Sequence, residues 1–154
     1  MKNDTSKTTA LEKDYARLRT NHETYDCAKQ AGDEAGMDAA REEYKAFQAE
    51  LAAKGKHYCM IFREYCDSKQ RGNDCIDFSD AIWETDVEPL LREMRTNGID
   101  RFSLSSTWSG AVDTAWLFQQ NGCTLEGLIR INGKFKRFDE EQYEEAHAYL
   151  FKVN

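Results

Sequence analysis

The sequence predicts an α+β protein: a long N-terminal helical hairpin followed by an α-β-α-β-β module with a small three-stranded sheet. Three observations carry this. A stripe of apolar residues with helical spacing runs through the first 65 residues. A polar, glycine-containing loop then interrupts the chain at residues 70–74. Beyond it, short alternating segments separated by turn residues replace the long stripe.

In the first helix, Leu11, Tyr15, Leu18, His22 and Tyr25 step by four and three residues and share one face. Ala31-Gly32-Asp33 is turn chemistry. The next stripe is Met37, Ala40, Tyr44, Phe47, Leu51, Lys54, Tyr58, Ile61 and Tyr65. It keeps register across Gly55, which predicts one helix over about 34–69, bent at that glycine. The organisation expected is a polar tail at 1–9, a hairpin arm at 10–72 with coiled-coil-like packing or dimerisation, and a module at 73–154.

In the module, Ile76 and Phe78 read as a short strand or turn. Thr85-Asp86-Val87-Glu88 has capping-box spacing, with Pro89 in the first turn and Gly98 at the helix end. Arg101 to Ser105 alternates as a strand, and a helix follows over about 109–120. A second strand is expected over 124–132, closed by an Asn132-Gly133 turn. Lys134 to Glu145 reads as charged loop or helix, and Ala148 to Val153 as the last strand. A strand-helix-strand crossover makes its two strands parallel where they are neighbours.

Composition bounds the function. The chain has 154 residues, 40% hydrophobic and 32% charged, with no apolar run near the roughly 18 residues that span a bilayer. The polar start carries no signal-peptide pattern, and five cysteines without a C-x-x-C pair read as reduced thiols, so a cytoplasmic location is expected. Residues 1–72 carry 13 basic and 13 acidic residues, whereas residues 73–154 carry 8 and 15. An acidic surface of this kind repels a phosphate backbone and favours a partner with a basic surface. Direct nucleic-acid binding and membrane association are not expected.

The chemistry-bearing candidates are few. His22, His57 and His147 stand apart from one another and fit no metal motif. Asp74, Asp77, Asp80, Glu84, Asp86 and Glu88 lie in a stretch without a base, and their spacing is not that of a calcium loop. They read as partner-facing carboxylates, with Trp108, in a turn beside hydroxyls, as an exposed aromatic contact; Trp83 and Trp116 read as core. The turn Ser105, Ser106, Thr107, Trp108, Ser109, Gly110 opens a helix and offers an alternative anion site, but it lacks the lysine of a phosphate loop, and Ser and Thr are also ordinary caps. No catalytic motif, metal or cofactor is expected.

Several segments of the module carry a resemblance. They are Ile76-Asp77-Phe78, Ala81-Ile82-Trp83, Gly98 through Ser109, Asp113 through Phe118, Asn121 through Gly127, and the ending Ala146 through Asn154. This pattern, over about 75–154, resembles an uncharacterised family of small proteins from mobile elements of gut Firmicutes. The resemblance implies a setting and no functional residues: small acidic proteins of such elements often block host nucleic-acid enzymes, as anti-CRISPR proteins do. The expectation is a non-enzymatic protein-binding regulator, with a small-molecule module or a structural homo-oligomer as alternatives.

Overall fold

The computed structural model describes residues 9–136 and 141–154. The expected tail, all but Thr9, and residues 137–140 of the expected charged segment lie outside the described residues. The α+β class holds: the described residues form five helices and a four-stranded sheet. Two compact units divide the chain, one ending at Cys59 and the other beginning at Met60. The division between these units falls inside a helix.

In the N-terminal unit, α1 (Ala10–Gln30) and α2 (Glu34–Ala53) form the hairpin. Thr9 and Asp33 cap them, each side chain accepting a backbone N–H three residues on. The helices run antiparallel, as cross-contacts Asp14 to Lys54 and Asn21 to Ala40 require. Arg17 joins Glu43 and Glu50 across the interface. The expected single helix over 34–69 is two helices. Gly55 takes φ +101°, a left-handed conformation that ends α2, and α3 (Lys56–Arg71) begins after it. Periodicity survives because two intervening residues keep the stripe in phase.

The C-terminal unit holds the later part of α3, then β1 (Ile76–Phe78), α4 (Glu84–Thr96), β2 (Arg101–Leu104), α5 (Ala111–Gln120), β3 (Cys123–Lys136) and β4 (Tyr143–Val153). The sheet order is β1-β2-β4-β3, four strands where three were expected. β1 pairs parallel to β2 through the α4 crossover, and β4 is antiparallel to both its neighbours. β2 and β3 therefore point the same way without touching, because β4 lies between them.

Alternation sorts the sheet into two faces. Ile76, Phe78, Phe102 and Leu104 share one face, where Phe102 meets Phe118 of α5 at 4.8 Å and stacks on Phe151 of β4 at 5.3 Å. Asp77 and Ser103, paired in register, share the other face, and Ser68 and Arg71 of α3 reach it.

Two local expectations change. α4 starts at Glu84 with Trp83 as N-cap, so Thr85 is not a cap and Pro89 sits in the second turn. Gly98 does end the helix, with φ +71°. Asn132-Gly133 is not a turn; β3 runs on to Lys136. Gly133 is required there because a Cβ would meet the Glu144 carbonyl oxygen at 2.9 Å. Register shifts between Leu125 and Gly127 and between Asn132 and Lys136 bend the β3–β4 hairpin. Although β3 is at the far edge from β1, the bend brings Asn132 to Asn73 and Lys134 to Asp80, either side of β1.

Phe118→Ala removes a fully buried ring from the centre of the aromatic cluster. It should cost about 3–5 kcal/mol in urea unfolding, with the slope unchanged.

Candidate functional site

The acidic candidates separate into an interior set and a surface set. Asp77 is fully buried and Asp86 nearly so, so neither carboxylate is open at the surface. This corrects the reading of all six carboxylates as partner-facing. Asp77 lies at the middle of β1, where both sheet faces are covered. Asp86 lies in the first turn of α4, where helix N–H groups favour a carboxylate.

Asp77 is the centre of a polar layer. Ser103 Oγ donates to its Oδ1 at 2.7 Å and Ser105 Oγ to its Oδ2 at 2.6 Å. Its backbone N–H donates to Ser68 Oγ at 2.9 Å, and the buried Arg71 guanidinium stands 3.7 Å from Oδ2. Burial pushes the Asp77 pKa up, while the two serines and Arg71 pull it down. Arg71 also donates to the carbonyls of Asp67 and Asn132, and Asn132 Nδ2 returns a bond to the Arg71 carbonyl at 2.6 Å. Two α3 turns before Arg71, Glu64 is 3% exposed; burial raises its pKa against the pull of Arg63, 3.2 Å away.

The serine-rich turn is absorbed by the fold. Ser105 serves Asp77, and Ser106 Oγ accepts from the Trp108 N–H at 3.3 Å. Gly110 is the N-cap of α5 and makes no side-chain cap, with the Trp108 indole lying over it. Thr107 and Ser109 are exposed. The turn neither caps the helix with a hydroxyl nor lines any of the three cavities that stand out among the described residues.

Surface carboxylates are Asp74, Asp80, Glu84 and Glu88. Asp80 meets Lys134 at 2.9 Å and Glu88 meets Arg92 at 3.0 Å. The tryptophans reverse the expectation. Trp83 is 62% exposed and Trp116 57%, whereas Trp108 is half-buried. Trp83 rests edge-on against Trp108 with centroids 5.2 Å apart. Thr114 Oγ1 donates to the Ile82 carbonyl at 2.9 Å, which holds the start of α4 to α5. Val112, 69% exposed, lies one turn before Trp116 on α5, with Asp113 beside it. Exposure of Trp116 was readable from spacing, since Phe118 and Ala111 already fill the inward side of α5.

Thiol chemistry finds no support at the buried layer. Burial pushes the Cys75 thiol up, against a hydrogen bond with Ser103, and Cys123 is pushed up to about 11. Among the described residues, no group of three or more His, Cys, Asp or Glu converges as metal ligands, and no helix is long and apolar enough to cross a membrane.

A family described as a domain of unknown function, DUF7698, matches residues 60–153. The chain belongs to this family. No curated protein and no solved structure matches it. The DUF7698 domain begins with the C-terminal compact unit and takes in the α3 segment bearing Glu64, Ser68 and Arg71, so the whole polar layer lies inside it. The α1–α2 hairpin lies outside.

Because the folded pKa of Glu64 is raised, its neutral form is favoured in the fold. Its contribution is fully present below the unfolded value and is lost as pH rises through the folded one. Glu64→Gln should therefore gain about 1 kcal/mol over the parent at pH 7 and nothing near pH 4. Urea midpoints at the two pH values check this.

Proposed function

We propose that the DUF7698 domain is a non-enzymatic protein-binding module whose contact surface is the aromatic face of Trp83 and Trp116. The observation that carries this is the exposure of Trp83, the N-cap of α4, and of Val112 and Trp116, one turn apart on α5. Burying a tryptophan is among the largest single gains a binding interface offers, and exposed aromatic clusters mark contact sites. The neighbouring carboxylates Glu84, Glu88 and Asp113 favour a partner with a basic surface. Lysine and arginine side chains meet both features, by cation–π contact with indole and by ion pairing.

The finer reading is a regulator of a mobile element that blocks a nucleic-acid enzyme by occupying its basic groove. What supports it is the net charge of the C-terminal half, 8 basic against 15 acidic residues, which repels nucleic acid and attracts the groove that holds it.

Two of the three tryptophans, Trp83 and Trp116, are exposed and the third, Trp108, rests against Trp83, so intrinsic fluorescence reports on this surface. A short peptide rich in arginine and lysine should quench emission saturably, and an acidic peptide of equal length should not. By calorimetry, Trp83→Ala or Trp116→Ala should weaken binding by about 30-fold, equivalent to about 2 kcal/mol. Glu84→Lys with Glu88→Lys should weaken it further at low salt than at high salt. Unchanged affinity in the tryptophan variants would contradict the proposal.

A further inference from the structure

The N-terminal unit carries a groove that the DUF7698 domain does not include. It opens between α1 and α2 and holds about 500 Å³. That volume is within the range of about 300–1,000 Å³ typical of small-molecule sites. The floor is made by Asn21 and Ala40, both buried. Asn21 Nδ2 donates to the Ala40 carbonyl at 2.9 Å, which leaves its Oδ1 as an acceptor in the floor. The walls are three rings: His22, Tyr25 and Tyr44. His22 and Tyr44 lie 6.4 Å apart, and Tyr44 is 40% exposed. On the α2 side, Arg41 stands over the Tyr25 ring and donates to its hydroxyl at 3.3 Å, with Lys45 one turn on. Asp26 is the carboxylate of the lining.

A seam that served packing alone would be filled, since interiors of helix pairs are close-packed. Here a small residue and an amide occupy the core positions, and the large rings stand to the sides. Rings favour a flat aromatic guest over an aliphatic one. The amide oxygen calls for a ring N–H or O–H, and Arg41 and Lys45, whose ion pairs to Asp38 at 2.9 Å and Glu42 at 3.3 Å on their own helix are exposed, can turn to an anion on the α2 side. We infer that the groove binds a small aromatic carboxylic acid bearing a ring hydrogen-bond donor, of the indole or phenol class. The ring lies against Tyr25 and Tyr44, its donor meets Asn21 Oδ1, and its carboxylate meets Arg41 and Lys45.

Titration of the ¹⁵N-labelled full chain with indole-3-acetate tests this. Saturable shifts are expected at Asn21, His22, Tyr25, Ala40, Arg41, Tyr44 and Lys45. Cyclohexylacetate, which lacks ring electrons and donor, and tryptamine, which reverses the charge, should each bind at least about fivefold more weakly. Tyr44→Ala should weaken indole-3-acetate by a similar factor while the amide spectrum stays dispersed. Lys45→Gln, at an exposed position, should lessen the preference over tryptamine without touching the hairpin's packing. Shifts that never saturate, shifts that fall outside the groove, or equal binding of cyclohexylacetate would overturn the inference.

Discussion

The C-terminal unit depends on one buried carboxylate. Asp77 lies in the central position of a three-residue strand and has no solvent contact. Removing such a charge from water costs several kcal/mol, and the cost is offset only where donors meet the charge. Three groups do so, from three elements: Ser103 of β2, Ser105 of the turn after it, and Arg71 of α3, while Ser68 of α3 accepts the Asp77 backbone N–H. Meeting them all at once fixes the β1–β2 register and the placement of α3 over the β1 edge, which would otherwise present unpaired N–H groups.

That registration positions the surface. β1 leads through Asp80 to Trp83 and α4, and the crossover returns to β2 beside β1. The aromatic cluster of Phe102, Phe118 and Phe151 then holds α5 on the opposite face. With α5 so held, its inward side is occupied and Val112 and Trp116 are left outward. Polar order on one face of the sheet and aromatic packing on the other together present the exposed indoles. Arg71 further ties the bent β3–β4 hairpin to the same layer through Asn132.

Much of the fold was legible in the sequence because helical periodicity is a long-range repeat. The stripes from Leu11 to Tyr25 and from Met37 to Tyr65 placed two helical stretches, though they could not show that Gly55 divides the second into α2 and α3. Strand ends were less legible. Asn132-Gly133 carries the residues of a turn, yet its conformation is set by bonds from Arg71 and Asn73, some 60 residues away in sequence. Trp83 reads as core by composition, yet it stands at the N-cap of α4 and is 62% exposed. Asp77 and Asp86 look identical to Glu84 and Glu88 in a run of acids. What separates them is the alternation of β1 and the burial of the first turn of α4, which charge counting does not see. The groove at Asn21 was hidden for a similar reason: His22 marks the stripe, while the buried amide of the groove floor is its neighbour.

The most direct test of Asp77 as the organising charge is a double-mutant cycle with Arg71→Met and Asp77→Asn, read by urea unfolding at pH 7. Each single change strands a buried charge or its donors and should cost about 3 kcal/mol. The double change should cost less than the sum by about 1–3 kcal/mol, because it leaves neither charge alone. Strictly additive losses, or single variants as stable as the parent, would contradict it.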